Sequence, residues 1–382
     1  MEGRVELNLE QAPKKERSSN LELYRIIVML LIVAHHYVVN SGLMNELGPV
    51  YSNIFSWRSV FLMLFGAWGK TGINCFVLIT GYFMCKSAIT LKKYVKLIAE
   101  VLFYSVVIYL IFCIFSYESF SIVSLVKAFI PIKSIQHNFT GCFLAFYLFI
   151  PFLNILVRNL TEKQHIALLL LCGFVYVFFG TMPFFDINMN YVSWYIVLYF
   201  VASYIRLYPK KIYDSTKIWL FITLFFVMLL SVSVIACAYV GERLNKQMVY
   251  YFAADSNTFL ALAVAVSSFI LFKNLKIKQS RFINTVSAST FGVLLIHAHS
   301  ETMRNWLWRD TLKNVQAYSS DWLVLHAIGS VIAVFVICTV IDFARIMLLE
   351  KPFMKLFDKN KSKIDAFCKK IEDGFFKVFH IE

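Results

Sequence analysis

The sequence predicts an all-α integral membrane protein with about ten transmembrane helices and both termini in the cytoplasm. The chain is 59% hydrophobic, 17% aromatic and only 16% charged, whereas soluble domains carry roughly a quarter charged residues. Apolar blocks of the ~20 residues needed to cross a bilayer recur along its whole length, and the basic residues lie in short segments between them. This composition excludes an ordinary soluble domain. The dispersed +14 net charge also argues against a nucleic-acid partner.

Ten apolar blocks predict the individual membrane helices. They cover residues 22–42, 60–85, 95–116, 141–158, 166–182, 191–208, 218–240, 257–273, 285–303 and 322–346. The second block contains Gly66, Gly69 and Gly72, so we expect it to begin with an interfacial or re-entrant piece. The stretch 117–139 contains Pro131 and is too polar to span, so we expect it at the membrane surface.

The lysines and arginines predict the orientation of the protein. With the N-terminus inside, 28 of the 37 basic residues fall on the cytoplasmic side and 9 on the outer side. This excess follows the positive-inside rule and fits an even number of spans. We therefore expect residues 1–20 to form a cytoplasmic segment, residues 21–346 the membrane domain, and residues 347–382 a cytoplasmic tail.

The two ends of the chain carry further signals. The first apolar run has no small-residue cleavage site, so we expect a membrane helix there rather than a removable signal peptide. In the tail 347–382, lysines are interspersed with isoleucines and phenylalanines. This pattern predicts an amphipathic helix on the inner membrane surface, attracted by anionic lipid.

The cysteines indicate neither a disulfide framework nor a metal site. The eight cysteines include no CxxC pair, and most of them fall within apolar runs. The common zinc and redox motifs place two cysteines in a CxxC pair, which this chain lacks. We expect the cysteines to be small apolar fillers of the core, and we expect no bound metal or cofactor.

Arg25 and His36 share one face of the first predicted helix, which reads LELYRIIVMLLIVAHHYVVN over residues 21–40. They are separated by about three turns and ~16 Å of rise, so one lies near a membrane surface and the other well inside. His35 is rotated from this face by roughly 80–100°. Ionisable side chains within a bilayer usually face a polar cavity or a partner, which favours a functional role for this pair.

Each side chain of this pair also has a structural interpretation. Arg25 could snorkel to the interface and set the depth of the helix, and the histidines could donate to neighbouring backbone carbonyls. Glu22 precedes Arg25 by three residues and could orient its guanidinium group. We favour the functional interpretation because a cation and a titratable imidazole follow one stripe of the helix.

Several segments resemble, in order along the chain, the motifs of acyltransferase family 3, the polytopic bacterial O-acyltransferases. RIIVMLLIVAHHYV carries the R-x10-H spacing of that family, and NCFVLITGYF resembles its Phe-rich strip ending in a Gly-aromatic pair. PFLN at 151–154 and WYIVLYFVASYIRLYP at 194–209 resemble its middle helices, and STFGVLLIH at 289–297 resembles its penultimate helix. The resemblance covers roughly residues 20–346.

The resemblance implies a plasma-membrane enzyme that moves an acyl group, usually acetyl, from cytoplasmic acyl-CoA to a hydroxyl of a cell-surface polysaccharide or glycolipid. His36 and Arg25 stand at the positions of the essential histidine and arginine of the family. Where the family often has an R-x-x-R pair after the second span, this chain has Lys93 and Lys96. Lysine can bind the donor phosphates as a point charge but lacks the bidentate fork of arginine.

Three further residues are candidates for the site. His297, in the ninth block, could orient the base or bind the acceptor, or it could be a satisfied core histidine. Asp186 and Asn188 belong to an outward loop rich in aromatic residues, so we expect them to contribute to acceptor binding. For His35 and His299 the sequence predicts no role.

Two other classes of protein would use the same polar stripe differently. A transporter or flippase of a glycan intermediate would line a permeation path with it, and a membrane sensor would use it without catalysis. A transporter is expected to contain Gly/Pro-broken helices at matching positions in two halves. Only the second block is strongly broken here, which favours the enzyme.

Overall fold

Helices form the regular structure of the described residues, which are 18–132, 138–185 and 189–378 of the computed structural model. The first half contains α1 (Ser19–Val39), α2 (Pro49–Ser52), α3 (Trp57–Phe65), α4 (Gly69–Met84), α5 (Leu91–Ile114), α6 (Ile122–Ala128), α7 (Phe139–Asn159), α8 (Glu162–Cys172) and α9 (Phe179–Thr181). A π-helical segment, Gly173–Phe178, joins α8 to α9.

The second half continues in the same way. It contains α10 (Tyr191–Leu207), α11 (Thr216–Leu244), α12 (Phe259–Asn274), α13 (Arg281–Ala288), α14 (Thr290–His297), α15 (Glu301–Asn305), α16 (Asn314–Ala317), α17 (Leu323–Arg345), α18 (Lys351–Lys359) and α19 (Lys361–Val378). The π-helical segment Ile346–Glu350 makes α17 and α18 continuous, so the predicted boundary at residue 346 falls inside a helix.

Polar caps define where many of these helices begin. At the first residue before a helix, a Ser, Thr or Asn side chain accepts a hydrogen bond from a backbone N–H that has no intrahelical partner. Such caps stand at Ser56, Thr90, Asn138, Thr161 and Asn190. Each contributes about 1 kcal/mol. The apolar blocks therefore form the helices, and the polar residues between the blocks determine where the helices begin.

The all-α membrane fold predicted from the sequence is confirmed. Among the described residues, seven helices are long and apolar enough to cross a membrane, and Tyr191–Leu207 and Phe259–Asn274 are shorter apolar helices. These nine helices correspond in position to nine of the ten predicted blocks. The number of actual membrane crossings and the side of each terminus stay predictions.

The ninth predicted block, 285–303, is not one continuous helix. A turn at Ser289 separates α13 from α14, and α14 ends at His297. Ser300 then caps α15, because its side chain accepts a hydrogen bond from the backbone N–H of Met303. Neither break is marked by a proline. At the second break, the Ser300 cap competes with helix continuation. The Ser289 side chain forms no such cap.

The predicted break in the second block is present and has a packing reason. The helix is interrupted between Phe65 and Gly69, which separates α3 from α4. A Cβ atom on Gly69 would lie 2.2 Å from the His35 ring, and one on Gly72 would lie 2.6 Å from the Ile32 side chain. Glycine at these positions lets α4 approach α1 closely, at the level of the histidines.

Helix α1 lies at the centre of the bundle. It packs against α4, α12, α13, α14 and α17, and α4 packs in turn against α10 and α12. Large apolar side chains on the outer helices are instead exposed, such as Phe221 at 74% and Ile337 at 58%. This arrangement fits a protein whose periphery contacts lipid, and it places the polar stripe of α1 inside the protein.

A buried charged cluster ties α5 to α17. Arg345 forms ion pairs with Asp342 at 2.8 Å, Glu350 at 2.9 Å and Glu100 at 3.2 Å. The Tyr104 hydroxyl donates to Asp342 at 2.8 Å. Buried charges in a protein need partners of this kind, because an unpaired charge in a low-dielectric interior is strongly destabilising.

We predict that the two ends of the bundle are exposed on opposite sides of the membrane. The distribution of basic residues places exposed Ala88 in the cytoplasm and exposed Ser319 outside. A membrane-impermeant thiol reagent applied to intact cells should label Ser319→Cys and leave Ala88→Cys unlabelled until the cells are opened. The control is a chain lacking both new cysteines, since its own eight are free. Labelling of Ala88→Cys in intact cells would reverse the orientation.

Candidate active site

Two histidines from different helices meet in the interior. His36 of α1 and His297 of α14 lie with Nδ1 of the first 2.9 Å from Nε2 of the second. The other ring nitrogen of His297, Nδ1, lies 2.6 Å from the carbonyl oxygen of Val293, one turn earlier in α14. His297 is fully buried. The structure thus brings together two residues that the sequence singled out, separated by 261 positions.

This geometry determines the tautomer of each neutral ring. A carbonyl oxygen can only accept, so Nδ1 of His297 carries the proton and donates to Val293. Nε2 of the neutral His297 ring is then an acceptor, and Nδ1–H of His36 donates to it. The lone pair of His36 therefore remains on Nε2. An imidazole held in this way is ready to accept a proton from a bound molecule.

The adjacent histidine is held differently. Nδ1 of His35 lies 2.5 Å from the carbonyl oxygen of Gly66, in the break between α3 and α4. His35 and His36 therefore point to different partners, as the helical geometry predicted. His35 thus donates to a backbone carbonyl, as the structural interpretation of the two histidines predicted.

A cavity of about 350 Å³ adjoins His36. Its walls come from α1, α4, α5, α10 and α14, from the segment around Pro131, and from the start of α7. Exposed Ile130 and Asn138 contribute to the lining, so the cavity reaches the protein surface. A site of this size, with His36 in its wall, can admit a ligand to the side chain of that histidine.

The cavity contains polar residues that the sequence analysis did not select. Tyr104, Lys70, Tyr191 and Arg304 all line it. Nζ of Lys70 donates to the Tyr191 hydroxyl at 2.5 Å and lies 3.9 Å from a carboxylate oxygen of Asp255. The position of Lys70 inside an apolar block could have indicated a functional role, because charged residues are rare in membrane helices. Arg304 follows the hidden break after α14, so no periodic pattern marked it.

Arg25 lies away from this cavity. Its guanidinium nitrogen is 3.6 Å from a carboxylate oxygen of Glu22, so the predicted i, i+3 contact is confirmed. Glu22 is buried and also accepts a hydrogen bond from Ser287 of α13. Arg25 and His36 stand on the same continuous helix, separated by ~16 Å of helical rise, and Arg25 does not line the cavity.

Lys93 and Lys96 lie near the first turns of α5, also away from His36. Nζ of Lys93 donates to the Ser87 hydroxyl at 3.0 Å and to the Ala88 carbonyl at 2.8 Å. Nζ of Lys96 is 2.6 Å from a carboxylate oxygen of Glu350. Their predicted role in donor binding stays a prediction. Asp186 and Asn188 fall outside the described residues, so their role stays a prediction as well.

Comparison with known proteins identifies the family of this chain. A family model described as an acyltransferase domain, that of acyltransferase family 3, matches residues 18–343. No match was found among curated proteins or among solved structures. The matched range contains His36, His297 and every residue that lines the cavity. The chain is therefore a multi-pass membrane protein that belongs to acyltransferase family 3.

Proposed function

We propose that this protein is an O-acyltransferase that uses His36 as its general base. The donor is cytoplasmic acyl-CoA, in the simplest case acetyl-CoA, and the acceptor is a hydroxyl of a cell-surface polysaccharide or glycolipid. One observation supports this most strongly. His36 lines a cavity that reaches the protein surface, and its hydrogen bond to His297 leaves Nε2 as the nitrogen that can accept a proton. Membership of an acyltransferase family supplies the reaction class.

In the proposed reaction, Nε2 of His36 accepts the proton of the acceptor hydroxyl. The oxygen attacks the carbonyl carbon of the thioester and forms a tetrahedral intermediate. Collapse of this intermediate breaks the carbon–sulfur bond and expels the thiolate of CoA. The protonated His36 then returns the proton to the sulfur, so the products are an ester and the free thiol. His297 accepts the hydrogen bond from Nδ1–H of His36 throughout and acts as a positioning residue.

The donor end of the protein is proposed to lie around Arg25, Lys93 and Lys96. Arg25 is partly exposed, with 26% of its side chain accessible, and 47% of the Lys96 side chain is accessible. These cations suit the phosphates of CoA. The long pantetheine arm would then carry the thioester along α1 toward His36, over the ~16 Å of helical rise between them.

We place the acceptor at the cavity end, with Asp186 and Asn188 as proposed acceptor contacts. The positive-inside rule predicts that this end faces the outside of the cell, and we propose that the membrane is the plasma membrane of a bacterium. A second histidine that sets the tautomer of His36 is useful to an enzyme that needs a base, whereas a transporter or a sensor has no need of a base. The family match favours neither of those alternatives.

The first catalytic prediction separates the two adjacent histidines. His36→Ala should reduce acyl transfer by about 10²–10⁴-fold, the usual contribution of general-base catalysis. His35→Ala should reduce it less, because that ring donates to the Gly66 carbonyl. Transfer of labelled acetyl from acetyl-CoA to extracted envelope glycans measures both. The matched control is His326→Ala, whose ring bonds Tyr37 outside the cavity lining. Wild-type transfer by His36→Ala would exclude the mechanism.

The second catalytic prediction concerns His297 as a positioning residue. His297→Ala should lower kcat by about 10–100-fold with little change in either KM, since it removes an orienting partner and no substrate contact. His297→Gln should recover part of kcat, because its amide oxygen can accept from Nδ1–H of His36. The pH dependence of kcat should shift in His297→Ala. A merely structural histidine would lower folded yield and leave that pH dependence unchanged.

The third catalytic prediction concerns the donor lysines. If Lys93 and Lys96 bind CoA phosphates, changing both to Ala should raise the KM for acyl-CoA more than it lowers kcat. The matched control is Lys92→Ala, which removes an exposed neighbouring lysine paired with Asp358. An unchanged donor KM in the double variant would assign the two lysines to membrane orientation alone.

A further inference from the structure

Two cations line the cavity beside His36. Arg304, Lys70 and three histidines line it, and none of its described lining residues is Asp or Glu. Neutral sugar sites usually mix carboxylates and amides with aromatic rings, because hydroxyl groups need acceptors as well as donors. A lining that provides cations without carboxylates instead favours a negatively charged ligand.

The two cations of the cavity differ in how they are held. Lys70 is fixed by the Tyr191 hydroxyl at 2.5 Å, with the Asp255 carboxylate 3.9 Å away. Arg304 is half-buried, and within the described part of the chain it forms no salt bridge. Its guanidinium group therefore retains its capacity for a bidentate contact.

A half-buried guanidinium group has lost some of its hydrogen bonds to water. A bound oxyanion replaces those hydrogen bonds and so stabilises the group. Arginine presents two parallel N–H donors that match the two oxygens of a carboxylate or phosphate. Charge-assisted hydrogen bonds of this kind are stronger than neutral ones. The cavity is thus better suited to an oxyanion than the surface around it.

We infer that the acceptor carries an oxyanionic group, carboxylate or phosphate, which Arg304 binds while Lys70 adds positive charge in the same cavity. This inference rests on the proposed acyl transfer, and it specifies the chemical class of the acceptor: an acidic glycan or a phosphate-bearing glycolipid. The oxyanion would hold one end of the acceptor and leave a hydroxyl at Nε2 of His36.

The position of Arg304 assigns the oxyanion to the acceptor rather than to CoA. Arg304 follows the end of α14, and the cavity is lined by the far end of α1 and the starts of α7 and α10. Lys93 and Lys96 lie near the start of α5, about three and about two turns before the cavity-lining Tyr104. Phosphates of the donor that bind Lys93 and Lys96 cannot at the same time bind Arg304.

The test compares Arg304→Gln with Arg309→Gln. Arg309 is an exposed arginine five positions further along the chain, and it does not line the cavity. With labelled acetyl-CoA and an extract of envelope glycans and glycolipids, Arg304→Gln should raise the KM of the extract by about 10–100-fold. The KM for acetyl-CoA should stay unchanged, and Arg309→Gln should behave as wild type. The labelled wild-type product should bind an anion-exchange resin at neutral pH.

A binding measurement decides the oxyanion site independently of catalysis. Inorganic phosphate should raise the unfolding temperature of the purified wild-type protein and of Arg309→Gln relative to chloride at equal ionic strength. It should not do so for Arg304→Gln.

The outcomes separate the two proposals. A labelled product that the resin does not retain, or a raised KM for acetyl-CoA in Arg304→Gln, would overturn the acidic acceptor while the acyltransferase stands. Phosphate stabilisation that depends on Arg304, without any acyl transfer by wild type, would support the oxyanion site and overturn the proposed function. Absence of phosphate stabilisation in wild type would overturn the oxyanion site.

Discussion

The carbonyl oxygen of Val293 controls the chemistry available at His36. Because it accepts from Nδ1–H of His297, the other nitrogen of that ring must accept from His36, and the lone pair of His36 is left on Nε2. A charged partner such as a carboxylate would also orient the imidazole, but within a membrane protein it would add a buried charge. A relay of two neutral rings and a backbone carbonyl avoids that cost.

This relay depends on the packing that brings α1 and α14 together. Gly69 and Gly72 let α4 contact α1 beside the histidines. On the other side, a Cβ on Gly292 would lie 2.3 Å from the Asp342 side chain, so α14 rests directly on α17. Asp342 is itself held by Arg345 and Tyr104. The charged cluster therefore fixes the helix that carries His297, although it contains no residue of the relay.

Tyr104 connects this scaffold to the cavity, since it both lines the cavity and donates to Asp342. Along α5, the exposed Lys93 and Lys96 lie near one end, and the buried Glu100 and the cavity-lining Val101, Tyr104 and Ser105 follow them. On α1, the partly exposed Arg25 likewise precedes the cavity-lining Ile32, His35 and His36. On both helices, the cations and the cavity are therefore separated along the helix axis.

Composition and periodicity determined the fold class, because a bilayer imposes helices of a fixed minimum length on any chain that crosses it. They also determined that His36 and Arg25 share a face, since that relation follows from helical geometry alone. The sequence could not show that His297 bonds His36, that Lys96 pairs with Glu350, or that Arg304 enters the cavity. These contacts join residues far apart in the chain, and only the packing of helices against one another decides them. The breaks around α14 were equally invisible, because no proline marks either of them and the apolar residues around Ser289 resemble one continuous span.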